Sequence, residues 1–112
     1  MAARRFGALD LAATTDTVLM SGASGFDSTV NVRFTNRNSS AVTVRMALVD
    51  DVSGSALGSL SDEDYLEYDT TIEANDVLEN TGLVIPEDHT IVVRSDTTLV
   101  TVLSYGFEEQ IV

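Results

Sequence analysis

The reactive side chains of this 112-residue chain are few, and most of them are acids. There is one histidine, His89, and no cysteine, so disulfides, thiolate metal sites and Cys nucleophiles are excluded. Ser-His-Asp chemistry would need His89 as its base. No serine sits in a Gly-x-Ser-x-Gly elbow, and His89 follows Pro86-Glu87-Asp88, the setting of an exposed turn histidine. Paired carboxylates perform glycoside hydrolysis in other proteins, and the densest set here is Asp62-Glu63-Asp64 with Glu67 and Asp69. With three Tyr, four Phe and no Trp, the chain offers no obvious sugar-stacking cleft. That set reads as a solvated loop entering a strand. The chain is expected not to be an enzyme, and no catalytic residue or cofactor is assigned.

Metal and phosphate chemistry fare little better. Asp50, Asp51, Asp62, Glu63 and Asp64 flank the longest loop, and hard oxygen ligands suit Ca²⁺. The Asp-x-Asp-x-Asp-Gly spacing is missing, so these acids meet only if the loop closes on itself, and no metal ligand is assigned. Gly22 and Gly25 fall between two strands, not between a strand and a helix, so they form no phosphate cradle.

Charge narrows the partners. Eighteen acids face six bases, a formal net charge of -12, and every base is arginine: Arg4, Arg5, Arg33, Arg37, Arg45 and Arg94. Nucleic-acid binding needs a basic face, and anionic membrane surfaces repel such a chain, so neither is expected as a partner. No apolar run approaches the 18 or so residues of a membrane span. The N-terminal Met-Ala-Ala-Arg-Arg-Phe-Gly lacks the apolar core of a secretory signal, and the chain is read from Met1 as written. Arg4-Arg5-Phe6 is the one basic cluster. It suggests an anchoring arm over residues 1–8 that orders on a neighbour, Phe6 acting as an apolar plug and the arginines as charge clamps.

The elements that must position these residues are strands. Val30, Val32 and Phe34 alternate with Asn31, Arg33 and Thr35, the period-2 pattern of a strand with one dry and one wet face. Val42, Val44, Met46 and Leu48 alternate likewise with Thr43 and Arg45. Across the turn residues Asn36-Arg37-Asn38-Ser39-Ser40, the two segments predict an antiparallel hairpin. Its wet face, with Arg33 and Arg45, is a second candidate contact surface. Further strands are expected at 9–11, 17–20, 65–72, 77–85 (with Gly82 as a break or bulge), 89–94 and 99–107, and one helical turn within 56–60. The last strand is apolar on both sides, which suits a central position or an interface. The sum is an all-β fold: residues 1–112 as one antiparallel β-sandwich of about eight strands, either jelly-roll-like or immunoglobulin-like.

Several blocks, taken in order, carry a resemblance. Thr29-Val-Asn-Val-Arg-Phe-Thr-Asn-Arg37, Ala41-Val-Thr-Val-Arg-Met-Ala47, Asp64-Tyr-Leu-Glu-Tyr-Asp69, Val77-Leu-Glu-Asn-Thr-Gly-Leu-Val-Ile85, Ile91-Val-Val-Arg-Ser95 and Ser104-Tyr-Gly-Phe-Glu108 resemble small β-sandwich virion proteins of tailed phages, especially of marine and cyanobacterial hosts. The chain departs from such proteins at the first inter-strand turn, where Ser21-Gly-Ala-Ser-Gly25 replaces a Pro-Ala-Gly type turn. The resemblance implies a structural protein of the virion, made in the host cytoplasm: a capsid decoration or cement protein, or else a tail, fibre or adaptor component. It implies the major capsid protein or tail proteins as partners, and a homo-oligomer, with a trimer as first expectation. A host-surface glycan-binding module is the further alternative. The residues expected at contacts are Arg4, Arg5, Phe6, Arg33 and Arg45.

Overall fold

A computed structural model describes residues 2–51 and 56–111. It contains eight strands: β1 (Ala2–Asp10), β2 (Thr17–Ser21), β3 (Phe26–Asn36), β4 (Val42–Asp50), β5 (Tyr65–Ile72), β6 (Val77–Ile85), β7 (His89–Ser95) and β8 (Val100–Gln110). Two short 3₁₀ turns, Ala56–Gly58 and Asp62–Asp64, lie between β4 and β5.

Alternation decides which side chains go inside. On β3, Ser28, Val30, Val32, Phe34 and Asn36 are buried while Asp27, Thr29 and Arg33 are exposed. On β4, Val42, Val44 and Met46 are buried, as the sequence pattern requires. These side chains join Leu19, Met20, Ile72, Ile85, Ile91, Val93, Val100 and Val102 in the core between two sheets.

The first sheet has strand order β1-β8-β3-β6 and the second β2-β7-β4-β5, with every pairing antiparallel. Strand n pairs with strand 9 − n in all four cases: β1 with β8, β2 with β7, β3 with β6 and β4 with β5. This is one long hairpin wrapped around itself, the jelly-roll arrangement. An immunoglobulin-type sandwich sets its first strand beside its second, which this one does not.

That topology corrects two expectations. β3 and β4 do not form a hairpin: β3 lies between β8 and β6 in one sheet, and β4 between β7 and β5 in the other. The 37–41 connection therefore crosses from sheet to sheet, as does the 73–76 connection between β5 and β6. Asn36 ties the two crossings together. Its side-chain amide donates to the carbonyls of Ser40 (2.9 Å), Ile72 (3.1 Å) and Glu73 (3.1 Å), and its oxygen accepts from the Asn38 backbone N–H (2.9 Å). Such a buried polar group is stable only when satisfied in this way.

The second correction concerns residues 1–8. Instead of a flexible arm, residues 2–8 belong to β1, which pairs with β8 from Ala2↔Glu108 to Asp10↔Thr101. A β1 residue is extra between Arg5 and Gly7, and Phe6 there packs against the protein's own core. Gly7 allows the close passage of β1 over β2, because a Cβ at this position would run into the Leu19 carbonyl. On the opposite flank the sheets are clasped by Glu67, which accepts from Asn80 (3.1 Å) and Thr70 (2.7 Å).

All four edge strands are bulged. Extra residues occur in β1 between Arg5 and Gly7, in β2 between Val18 and Met20, in β6 opposite Val30–Val32 and in β5 opposite Val44–Ala47. The central pairs β3·β8 and β4·β7 run without a shift. Bulges spoil an edge as a template for another strand. Gly82, at φ +67, supplies the left-handed residue that the β6 bulge needs.

Candidate functional site

The two outer faces of the sandwich differ. On the second sheet, Ala47, Val49 and Val92 point outward but are covered, forming a small second core with Ala56, Leu60 and Tyr65. Residues 56–65 thus cover part of that face. Among the described residues, no such cover lies over the outer face of the first sheet. Strand register places its outward side chains in rows: Val84, Thr29, Phe107 and Ala3; then Asn31, Tyr105 and Arg5; then Glu79, Arg33, Leu103 and Ala8. Val84 is 59% and Phe107 48% exposed, high values for side chains of this size. Two shallow hollows, of about 470 and 430 Å³, lie on either side of the Tyr105–Leu103 ridge.

The centre of this open face has an ordered polar group. The Tyr105 hydroxyl reaches across β3 to donate to Glu79 (3.3 Å), and Arg33 lies 3.8 Å from the same carboxylate. Among the described residues Arg5 has no carboxylate within ion-pair distance. The middle of the face thus carries two bases and one acid, in a chain of net charge -12.

The five residues expected at contacts separate. Arg5 and Arg33 come together on this open face, one strand apart on either side of β8. Arg4 instead pairs with Glu108 of its own chain (3.1 Å) and lies over the Phe6 ring, 4.7 Å from its centre. Arg4 and Phe6 thus both have partners within their own chain. Arg45 does not share a face with Arg33, because the two strands belong to different sheets.

On the second sheet, Arg45 organises a separate polar site. Its Nε and Nη2 donate to the two oxygens of Asp69 (2.7 and 3.2 Å), and its guanidinium stacks 4.2 Å from the centre of the Tyr68 ring. Tyr68 meets Tyr65 edge-on at 4.9 Å. The hydrogen bond from Arg45 holds the Asp69 carboxyl below the usual carboxylate range, and the same contact strengthens the hold of Arg45 on its proton. Register puts Arg94 directly opposite Arg45, a like-charge pair that costs stability unless neighbouring acids offset it. Asp69 and Asp16 do so, the latter 3.6 Å from Arg94. The result is a pocket of about 290 Å³ lined by Thr14, Thr43, Arg45, Asp69, Arg94, Ser95 and Asp96.

Tyr65, Tyr68, Asp69 and Arg94 were not singled out at this site by sequence reasoning. Aromatics so sparse gave no signal, yet two of the three tyrosines meet here. Tyr105 and Phe107 were legible on one face of their strand through alternation, but not as the open face of a sheet. His89 bonds through its ring to the Glu87 carbonyl (3.1 Å). Among the described residues no three His, Asp or Glu side chains converge to hold a metal, and positions 52–55 of the acidic loop lie outside the described residues. Comparison with protein-family models, curated proteins and solved structures returns no match.

Proposed function

We propose that this chain is a non-enzymatic structural subunit of a phage virion, an accessory protein that docks on the capsid shell through the outer face of its first sheet. The observation that carries this reading is the contrast between blunted edges and an open face. All four edge strands are bulged, so strand addition is disfavoured. Among the described residues nothing covers the β1-β8-β3-β6 face, which carries exposed Phe107 and Val84 and the side chains of Arg5 and Arg33. Apolar anchors with arginine are the composition of contact centres. The jelly roll is a frequent capsid architecture, although a fold by itself assigns no role, and the sequence blocks resemble virion proteins.

The partner that fits is the major capsid protein, presenting an apolar patch with acidic side chains opposite Arg5 and Arg33. Many copies on one shell gain avidity from weak individual contacts. The test is rebinding to particles stripped of the protein, followed by sedimentation and light scattering. The wild-type chain should co-sediment, and Arg33→Gln combined with Phe107→Ser should lose occupancy at unchanged melting temperature. Equal occupancy of that variant would exclude this face. A wild-type chain that ignores the shell but binds isolated tails would move the protein to the tail.

A further inference from the structure

We propose that the Arg45–Arg94 pocket on the second sheet binds a neutral saccharide unit, a role separate from the docking face and independent of it. The lining carries two arginines and two aspartates, a formal charge of zero. The chain around it carries -12, a field that opposes the approach of an anion. A polyhydroxyl ligand meets no such barrier, and each of its hydroxyls both donates and accepts.

The unfilled hydrogen-bonding groups suit that chemistry. The Arg94 guanidinium makes no side-chain hydrogen bond among the described residues, since its distance of 3.6 Å to Asp16 is too long for one. Arg45 spends Nε and Nη2 on Asp69, leaving Nη1 as a donor. Asp96 uses Oδ1 to accept from the Thr43 backbone N–H (3.1 Å), leaving Oδ2 as an acceptor. Fixed guanidinium donors beside a carboxylate acceptor recognise neighbouring hydroxyls of one sugar ring. A volume of about 290 Å³ is at the small end of ligand sites and admits one ring.

Two of the five non-glycine residues with positive φ among the described residues are at the same place. Thr14 (φ 51) and Asp69 (φ 51) both line the pocket in the left-handed region, and for a β-branched residue such as Thr14 that is an outlier. Strain of this kind concentrates at ligand sites. Thr14 is held there by its N–H bond to the Ser95 carbonyl (2.8 Å), and Asp96 by its N–H bond to the Thr43 carbonyl (3.0 Å). Beyond Arg45, the Tyr68 ring is 58% exposed and borders a second hollow of about 310 Å³ with Asp62 and Tyr65. Arg45 touches Asp69 in the first hollow and Tyr68 in the second. A second ring of an oligosaccharide therefore has an aromatic surface beside it.

The experiment is an amide NMR titration of the full chain with neutral mono- and disaccharides of glucose, galactose, mannose and N-acetylglucosamine, and separately with inorganic phosphate and sulfate. A saturable shift of the Thr14, Thr43, Asp69, Arg94 and Asp96 amides by at least one neutral saccharide is expected. Arg94→Ala and Asp96→Asn should each weaken binding tenfold or more while the melting temperature stays unchanged. Asp96→Asn retains Oδ1 for the Thr43 contact, so its effect reports on the ligand. Tyr68→Ala should weaken disaccharides more than monosaccharides. The proposal is overturned if no neutral saccharide saturates these shifts, if only phosphate or sulfate does, or if both Arg94→Ala and Asp96→Asn bind as the wild type.

Discussion

Replacing Asn36 by alanine should destabilise the fold more than any other single polar truncation. The side chain is 1% exposed and stands where both sheet-to-sheet crossings meet. Its amide serves the Ser40, Ile72 and Glu73 carbonyls, and its oxygen holds the Asn38 backbone N–H. The amide has two N–H groups shared among these three carbonyls, so two donated bonds and one accepted backbone bond, at about 1 kcal/mol net each, amount to about 3 kcal/mol. The Ile72 carbonyl loses this buried partner, which adds up to about 1 kcal/mol, so the total is about 3–4 kcal/mol. At about 4 °C per kcal/mol for a domain of this size, the melting temperature falls by about 12–16 °C. Thermal and urea unfolding followed by circular dichroism measure this, with an unchanged urea slope as the check that the unfolded state is unaffected. Asn38→Ala is the control: its side-chain bonds to Thr98 and Asn36 are half-buried or exposed, and it should cost about 1 kcal/mol or less. Asn36→Asp turns the donor into a carboxylate facing three carbonyl oxygens. Its loss should exceed that of alanine at pH 7 and shrink as acid protonates it. A fall of less than about 4 °C for Asn36→Ala would refute the view that this side chain joins the two crossings.

Three further outcomes follow from the same structure. The Asp69 carboxyl should titrate below the ordinary carboxylate range in carbon-detected NMR, and Arg45→Gln should return it towards that range, because the Arg45 hydrogen bond is the main cause of the shift. The sign is that of a depressed acid: the contribution to stability is present above the unfolded carboxylate range and is lost as pH falls through the folded value. No movement of Asp69 on Arg45→Gln would show that the pair does not persist in solution. Gly7→Ala should cost about 1–3 kcal/mol by forcing β1 away from the Leu19 carbonyl, and a neutral result in urea unfolding would mean that β1 lies further from β2. Phe34→Ala empties the largest fully buried side chain and should cost about 3–5 kcal/mol, a large share of the stability of such a domain; a loss below about 1 kcal/mol would contradict its central place in the core.

Period-2 alternation is a local property, and it was legible in the residues alone. Val30, Val32 and Phe34 are inside and Arg33 is outside because successive side chains of a strand point to opposite faces. The double apolar character of 99–107 left a central or an interface strand open, and β8 lies between β1 and β3. The all-β class followed from the same patterns together with the turn residues between them. What alternation does not carry is the identity of the neighbour. It says that a side chain faces in, not which sheet it belongs to.

Tertiary structure alone decided that. The 37–41 connection is as short as a hairpin loop, yet it crosses the sandwich, because β3 gains two partners in one sheet and β4 two in the other. One consequence is that Arg33 and Arg45, close in sequence and alike in pattern, lie on opposite outer faces. Another is that Arg4 and Phe6, which read as a free arm, are held by β8, more than 90 positions away in the chain, and by the core. Asn36 reads as turn chemistry, but its burial arises only where two crossings converge. Tyr65, Tyr68, Asp69 and Arg94 meet at Arg45 because β4 is flanked by both β5 and β7. Residue types and faces are written in local sequence, whereas a site is made of partners, and partners are set by the free energy of closing the whole sandwich.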